Sequence, residues 1–179
     1  NDDLIAKEYL KKNLTATPDN FNLMLFSEKV TSLPLSFKPG TQWQYSVGID
    51  LAGRLIEIIS GMSLDVYIGI NLLDRLNMED TKFFLPENKT DRFSDCFFYH
   101  EMPKNFIPLV NQYQNFSYTK DKVTNFSGGS GQLSTGRDYL KFANVLLNDG
   151  KLEKTRVFAK EVMNRIRTNS IDGDIASIG

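Results

Sequence analysis

Tyr45 is the residue of this sequence best placed to do chemistry, because it stands with Trp43 just before a predicted helix. The stretch from Phe37 to Gly61 opens with a Pro39-Gly40 turn and continues into apolar residues at helical spacing. At a helix start the backbone N–H groups point outward and the local potential is positive, which favours a phenolate. Tyr45 therefore stands where the local potential suits a negatively charged side chain. The alternative is that Tyr45 and Trp43 only pack beside the turn.

The helix that follows Tyr45 is predicted to run from about Ser46 to Ser60. Ser46 is the expected N-cap, and Gly61 occupies the position of a glycine that ends a helix. The apolar positions with helical spacing are Ile49, Ala52, Leu55, Ile56 and Ile59.

Three other potentially reactive residues carry weaker signals. Cys96 lies in an apolar run without a basic neighbour, so a buried structural thiol is expected. His100 is the only histidine and no cluster of ligand-type residues accompanies it, so neither a metal site nor a cofactor is predicted. Ser117 and Lys120 have Ser-x-x-Lys spacing but lie in a polar, aperiodic segment, and we interpret this match as a coincidence.

The run from Phe126 to Gly131 has three glycines in four positions, which permits close approach to another backbone or to a ligand. It lacks the GxxxxGK[ST] pattern of a phosphate loop. Thr135 and Asp138 then form a T-x-x-D capping box for a helix from Gly136 to Leu147. The residues of that helix expected to face inward are Tyr139, Leu140, Phe142, Ala143 and Leu146.

The rest of the chain is predicted to be helical with one hairpin. Two apolar runs that flank Glu101–Asn105 predict a β-hairpin over about residues 96–110. The polar segment 111–126 is a candidate lid or binding loop. Helices are expected over residues 2–14, from Pro18 (capped by Thr17) to about Ser32 with Phe21, Met24, Leu25 and Val30 on its apolar face, from Leu64 (capped by Ser63) to about Leu73, over 87–92 and over 159–167.

Composition excludes several classes of function. The 179 residues carry a net charge of −1 without a basic block, so no nucleic-acid partner is predicted. The apolar runs are too short to span a bilayer, and the single cysteine excludes an internal disulfide. The length fits one ordinary domain or part of a larger one.

Four stretches resemble the serine β-lactamase and penicillin-binding-protein superfamily, most closely the class C-like branch that includes the family VIII esterases. In order they are PGTQWQYSVGIDLAGRLIEIISGMSLDVYI, LLDRLNMEDTKFFLPE, FSGGSGQLSTGRDYLKFANVLLNDG and FAKEVMNRI. The resemblance implies a mainly α chain, the helical subdomain of an α+β fold. Residues 1–179 would then form a single fragment from which the main antiparallel sheet is largely missing.

The resemblance implies general acid–base chemistry for Tyr45, which matches the tyrosine that follows PGxxWxY in the family. Val47 replaces the asparagine of the Tyr-x-Asn motif, and this favours an esterase over a β-lactamase. The glycine run resembles the loop that borders the family's active-site cleft. The family's nucleophile lies in a Ser-x-x-Lys motif upstream of the tyrosine, and a Lys-Thr-Gly or His-x-Gly motif follows the last helix. Neither motif has a match here, since Lys154-Thr155-Arg156 comes too early and lacks the glycine.

The sequence therefore predicts part of a serine hydrolase for a small ester or amide substrate, with the nucleophile outside this chain and no activity of the chain alone. The alternatives are a degenerate family member that acts as a binding or regulatory module, and a helical interaction domain with accidental similarity. A chain without its sheet is expected to self-associate through uncovered apolar surface. The bacterial cytoplasm and periplasm both stay open, and substrate-binding residues are not identified.

Overall fold

The computed structural model describes residues 4–14, 21–95, 97–101, 104–108, 118, 120–171 and 176–178. Six α-helices provide most of the regular structure of this part of the chain. They are α1 (Leu4–Lys11), α2 (Leu23–Thr31), α3 (Gly48–Ser60), α4 (Leu64–Ile68), α5 (Gly136–Leu147) and α6 (Lys160–Arg167). After α4 the chain continues through a π-helical turn (Gly69–Leu73) and a 3-10 turn (Asp74–Leu76), and a separate 3-10 helix covers Glu87–Arg92.

The described strands form three two-stranded sheets. Strand β1 (Gln42–Gln44) pairs in parallel with β6 (Ala176–Ile178). Strands β2 (Phe97–His100) and β3 (Asn105–Pro108) form an antiparallel hairpin inside the range predicted for it, and β4 (Lys151–Leu152) pairs with β5 (Thr155–Arg156). Strands of two or three residues have no readable period, so β1, β4, β5 and β6 were not predicted.

Two apolar clusters hold the helices together. The first is built on α2, with Leu23, Phe26 and Val30 buried against Leu64 and Phe83. Val47, Leu51 and Ile56, around the start and along α3, pack against this cluster. The second cluster joins the turns after α4 to α5 and contains Leu73, Leu76, Met78, Val145 and Val157.

The prediction for α2 is wrong in its start and partly wrong in its apolar face, since Val30 is buried and Phe21 packs against the first cluster as expected, whereas Met24 and Leu25 do not. The helix begins at Leu23, because the Asn22 side chain caps it by accepting a hydrogen bond from the Leu25 N–H at 2.8 Å. Met24 and Leu25 face outward, whereas Leu23 and Phe26 are buried. The predicted cap Thr17 and Pro18 lie outside the described residues.

The predicted face of α5 is also partly wrong. Thr135 caps the helix as predicted, since its hydroxyl accepts from the Asp138 N–H at 3.2 Å. The Asp138 carboxylate does not complete the capping box but turns inward to other partners, so Tyr139 and Leu140 face solvent. Phe142, Ala143 and Leu146 are half-buried as expected, and Val145 is the fully buried residue of the helix.

Within the described residues, no single helix is long and apolar enough to cross a membrane. Only α3 taken with residues 64–76 passes that test, as a pair bent by 82°.

Candidate active site

Tyr45 lies on the short link between β1 and α3, with its side chain 86% exposed. Among the residues that the structure describes, none makes a hydrogen bond to its hydroxyl. Trp43 is the middle residue of β1 and is half-exposed. Both aromatic residues are thus open to solvent in the described part of the chain.

The predicted N-cap Ser46 is wrong by one residue, because α3 starts after Val47. The Val47 carbonyl accepts the first helical bonds, from the N–H groups of Asp50 at 3.0 Å and Leu51 at 3.2 Å. The Ser46 side chain is instead a hydrogen-bond partner of Tyr9 in α1. Burial raises the pKa of Tyr9 more than this hydrogen bond lowers it, so the net pKa is raised. The end of α3 is confirmed, since Gly61 follows it with φ of 69°.

The buried face of α3 is small and polar. Asp50 and Gly53 are the buried residues of this helix. Most of the apolar positions noted in the sequence face solvent, with exposed fractions of 65% for Ile49, 57% for Leu55 and 84% for Ile59. The helix is therefore held by a polar contact together with the packing of Leu51 and Ile56 against the first apolar cluster, and it leaves Ile49, Leu55 and Ile59 open to solvent.

The polar contact of α3 is made with the glycine run. Asp50 is 5% exposed, and its Oδ1 accepts hydrogen bonds from the Ser127 hydroxyl and, at 3.4 Å, from the Gly129 N–H. The Ser127 hydroxyl accepts in turn from the N–H groups of Gly129 at 3.2 Å and Ser130 at 3.0 Å. We call these four residues the Asp50–Ser127 network. It fixes the glycine run to the first turn of α3.

Gly128 brings the two backbones into direct contact. A Cβ at this position would lie 2.3 Å from the carbonyl oxygen of Ile49, so only glycine fits. This is the close approach that the glycine run predicts, and its partner is the helix that follows Tyr45. The structure thus brings together two stretches that the sequence offered separately.

Asp50 is the residue that the sequence analysis missed. It is a carboxylate in the first turn of a helix, where it also interacts favourably with the helix dipole. The available signal was a carboxylate in the first turn of α3 and one glycine-rich run that needed a partner for its close approach.

A second buried carboxylate, Asp138, fixes the start of α5. It accepts hydrogen bonds from the Asp80 N–H at 2.8 Å, from the Thr81 hydroxyl at 3.1 Å and from Lys141 at 2.9 Å. Burial raises its pKa, but the hydrogen bonds and the charge of Lys141 outweigh this effect, and the net pKa is lowered. This arrangement joins the segment around Asp80 and Thr81 to the start of α5.

Asp80 extends this cluster to the surface. Its carboxylate pairs with Lys89 and, at 3.0 Å, with Arg92. Hydrogen bonds from Arg92 and Lys89 lower the pKa of Asp80 to about 2 from its ordinary 3.8. A pocket of about 70 Å³ lies beside these side chains, with Phe84 and Phe93 on its apolar wall. Since its cations already share the Asp80 carboxylate, we assign this region to stability.

The remaining candidates do not assemble into a site. His100 is exposed on β2, with its ring centroid 6.3 Å from that of Phe98. Cys96 and Ser117 lie outside the described residues. Across the described ranges, no group of three His, Cys, Asp or Glu side chains is arranged to hold a metal ion.

Sequence comparison relates the chain to known acyl-group enzymes. Residues 8–173 match the family model described as Beta-lactamase. The chain is 33% identical over 144 residues to the lovastatin esterase of Penicillium rubens, a match of 78% of this chain and 34% of that protein. It is 26% identical over 151 residues to the acyltransferase mokF of Monascus pilosus, covering 83% of this chain and 34% of that protein. The chain thus spans about a third of these relatives.

Solved structures of low sequence identity share the fold. Simvastatin synthase from Aspergillus terreus superposes with a TM-score of 0.69 at 18% identity, over 90% of this chain and 43% of that one. The octameric penicillin-binding protein homologue from Pyrococcus abyssi superposes with a TM-score of 0.57 at 20% identity, over 86% of this chain and 30% of that one. The helical arrangement described above is therefore a part of the fold of these proteins.

Proposed function

Because this chain belongs to the β-lactamase family, we propose that it supplies the Tyr45-bearing part of a serine hydrolase that transfers acyl groups from a small ester or amide. The observation that carries the proposal is the exposed side chain of Tyr45, which lies just before α3. The glycine run is hydrogen-bonded to the first turn of this helix. The esterase and the acyltransferase among the relatives support the same class of reaction.

In this proposal a serine outside the chain attacks the substrate carbonyl. Tyr45, together with a lysine outside the chain, accepts the serine proton and returns a proton to the leaving group. Water then releases the acyl group by the reverse sequence of proton transfers. The exposure of Tyr45 serves this role, because its hydroxyl must reach a serine and a substrate that come from the other side of the cleft.

Val47 favours an ester as the substrate. Its side chain packs against the first apolar cluster, so this position offers no side-chain amide to a substrate. A substrate amide would need such a partner to be positioned by hydrogen bonds, whereas an ester has no N–H group to satisfy.

The chain alone is proposed to have no acyl-enzyme chemistry, since no Ser-x-x-Lys motif precedes Tyr45. The chain and the complete gene product that contains it are each incubated with a chromogenic acyl ester and a fluorescent penicillin. Turnover or covalent label is expected only with the complete gene product. A label on Ser117 of the chain would overturn the proposal.

The second candidate is a degenerate family member that acts as a binding or regulatory module. The observation that favours it is Val47, which stands where the family motif has an asparagine. It predicts that the complete gene product lacks a Ser-x-x-Lys motif and binds an ester without hydrolysing it. Turnover by the complete gene product excludes this candidate.

We also propose that the chain self-associates through the open face of α3. The side chains of Ile49, Leu55 and Ile59 lie mostly in solvent on one helix, and apolar surface of this kind marks an interface. A second copy of the chain offers the same apolar face, so the two faces can cover each other.

A further inference from the structure

The Asp50–Ser127 network is more specific than packing requires. The α3 face that meets the glycine run already has the small residue Gly53, and a Cβ there would lie 3.6 Å from the Gly128 Cα. Small residues alone allow two backbones to pack. Burying a carboxylate costs free energy unless hydrogen bonds compensate it. The hydrogen bonds that it then accepts are strong and directional. Asp50 therefore determines the position of the glycine run along α3 as well as its distance from the helix.

The bonds of the network set the orientation of the loop. Ser127 is 4% exposed and presents its hydroxyl to Asp50, while it accepts from the N–H groups of Gly129 and Ser130. These two peptide groups are turned inward, so the exposed edge of Gly129 and Ser130 is held in one orientation. Gly128 rests on the carbonyl of Ile49, four residues after Tyr45.

We infer that Asp50 is a positioning residue, which acts through Ser127 to hold the exposed edge of the glycine run at a fixed place relative to Tyr45. The inference rests on the proposed function, because Tyr45, four residues before the Ile49 carbonyl that Gly128 contacts, is the proposed acid–base residue. Misplacing a reacting group by about 1 Å can cost on the order of 100-fold in rate, so such a contact matters even without touching substrate.

Local hydrogen exchange tests the network without any need for activity. S127A removes the acceptor of two N–H groups, and D50A removes the partner of Ser127. Amide exchange at Gly129 and Ser130 is expected to rise about tenfold in both variants, as for the loss of one hydrogen bond. S127T restores the hydroxyl and is expected to restore the protection.

Kinetics of the complete gene product test the positioning role. S127A and D50A are expected to lower kcat on a chromogenic ester by about 10- to 100-fold with a smaller change in KM, and S127T to recover most of it. The matched control is D138N, which alters a carboxylate buried to a similar degree, 3% exposed, at the start of α5. It is expected to lower stability and leave kcat and exchange at Gly129 and Ser130 unchanged.

The outcomes separate this inference from the proposed function. Unchanged exchange in folded S127A and D50A overturns the network, and raised exchange with unchanged kcat overturns the positioning role. If D50A fails to fold, the S127A and S127T pair decides both questions. A wild-type gene product that hydrolyses no ester overturns the proposed function, and the exchange data then decide whether Asp50 fixes the loop.

Discussion

Gly128 rests on the carbonyl group of Ile49, so closely that a Cβ on Gly128 would lie 2.3 Å from the Ile49 oxygen. The contact joins the glycine run to the first turn of α3, the helix that follows Tyr45. Because the atoms involved are backbone on both sides, no rotamer change can relieve a larger side chain at this position. Gly128 and the Asp50 carboxylate together make the start of α3 one rigid unit with the loop.

Replacing Gly128 with alanine is expected to destabilise the chain by about 1–3 kcal/mol, the usual cost of overpacking. G53A is the matched comparison and should cost less, because its nearest atom is Leu64 Cδ2 at 2.8 Å, the end of a side chain that can rotate. At Gly136 nothing lies within 4 Å of an added Cβ, so G136A should leave stability unchanged or slightly raised. Urea unfolding measures all three, and equal losses for G128A and G136A would contradict the close contact.

Tyr45→Phe is expected to reduce ester hydrolysis by the complete gene product by about 10²- to 10⁴-fold, the range for loss of an acid–base group. The melting temperature should not change, because the side chain is 86% exposed. Tyr139→Phe, which removes the hydroxyl of another exposed tyrosine, is the control and should retain full activity. Steady-state kinetics and thermal unfolding provide the two measurements. A fully active Y45F would refute the role proposed for this residue.

The sequence predicted those features that depend on local chemistry. The glycine after α3 adopts a positive φ, Thr135 caps its helix, and the apolar runs around residue 101 form a hairpin, whereas Ser63 precedes its helix without a side-chain capping bond. In each case a few neighbouring residues determine the conformation, because a cap or a turn is satisfied within one or two turns of chain.

The predictions that were wrong concern features that depend on partners distant in sequence. Asp138 turns toward Asp80 and Thr81 and is buried on α5 together with Val145, while Tyr139 and Leu140 face solvent. Asp50 turns toward Ser127, so α3 buries a carboxylate and exposes isoleucines. A hydrophobic period assumes that apolar residues alone fill the buried face, whereas in both helices a hydrogen-bonded carboxylate is buried together with apolar residues. Of the residues in the candidate site, the sequence pointed to Tyr45 and to the glycine run but not to Asp50.

Acid is expected to destabilise the chain between pH 4 and 2 through Asp80. Its folded-state pKa is about 2 against an ordinary 3.8, so in this window the unfolded chain binds the proton more readily. The contribution of Asp80 to stability is therefore fully present above the ordinary pKa and is lost as the pH falls through the folded-state value. The lowered pKa of Asp138 adds a loss of the same sign.

The substitution D80N separates the contribution of Asp80 from the general effect of acid. Urea unfolding at a series of pH values should show a shallower loss of stability in D80N than in the wild type. D74N, which neutralises an exposed carboxylate outside the cluster, should keep the wild-type slope. A wild-type slope in D80N would show that the pairs with Lys89 and Arg92 do not affect folding.

The open face of α3 is expected to make the chain a dimer or a larger oligomer at micromolar concentration. Ile59→Lys should convert it to a monomer, because a lysine on this face cannot be covered by a second apolar face without losing its hydration. The substitution should not lower the melting temperature, since Ile59 is 84% exposed. Leu10→Lys, at a residue 78% exposed on α1, is the control and should leave the oligomer intact. Light scattering coupled to size exclusion gives the mass of each variant, and a monomeric wild type would refute this assembly.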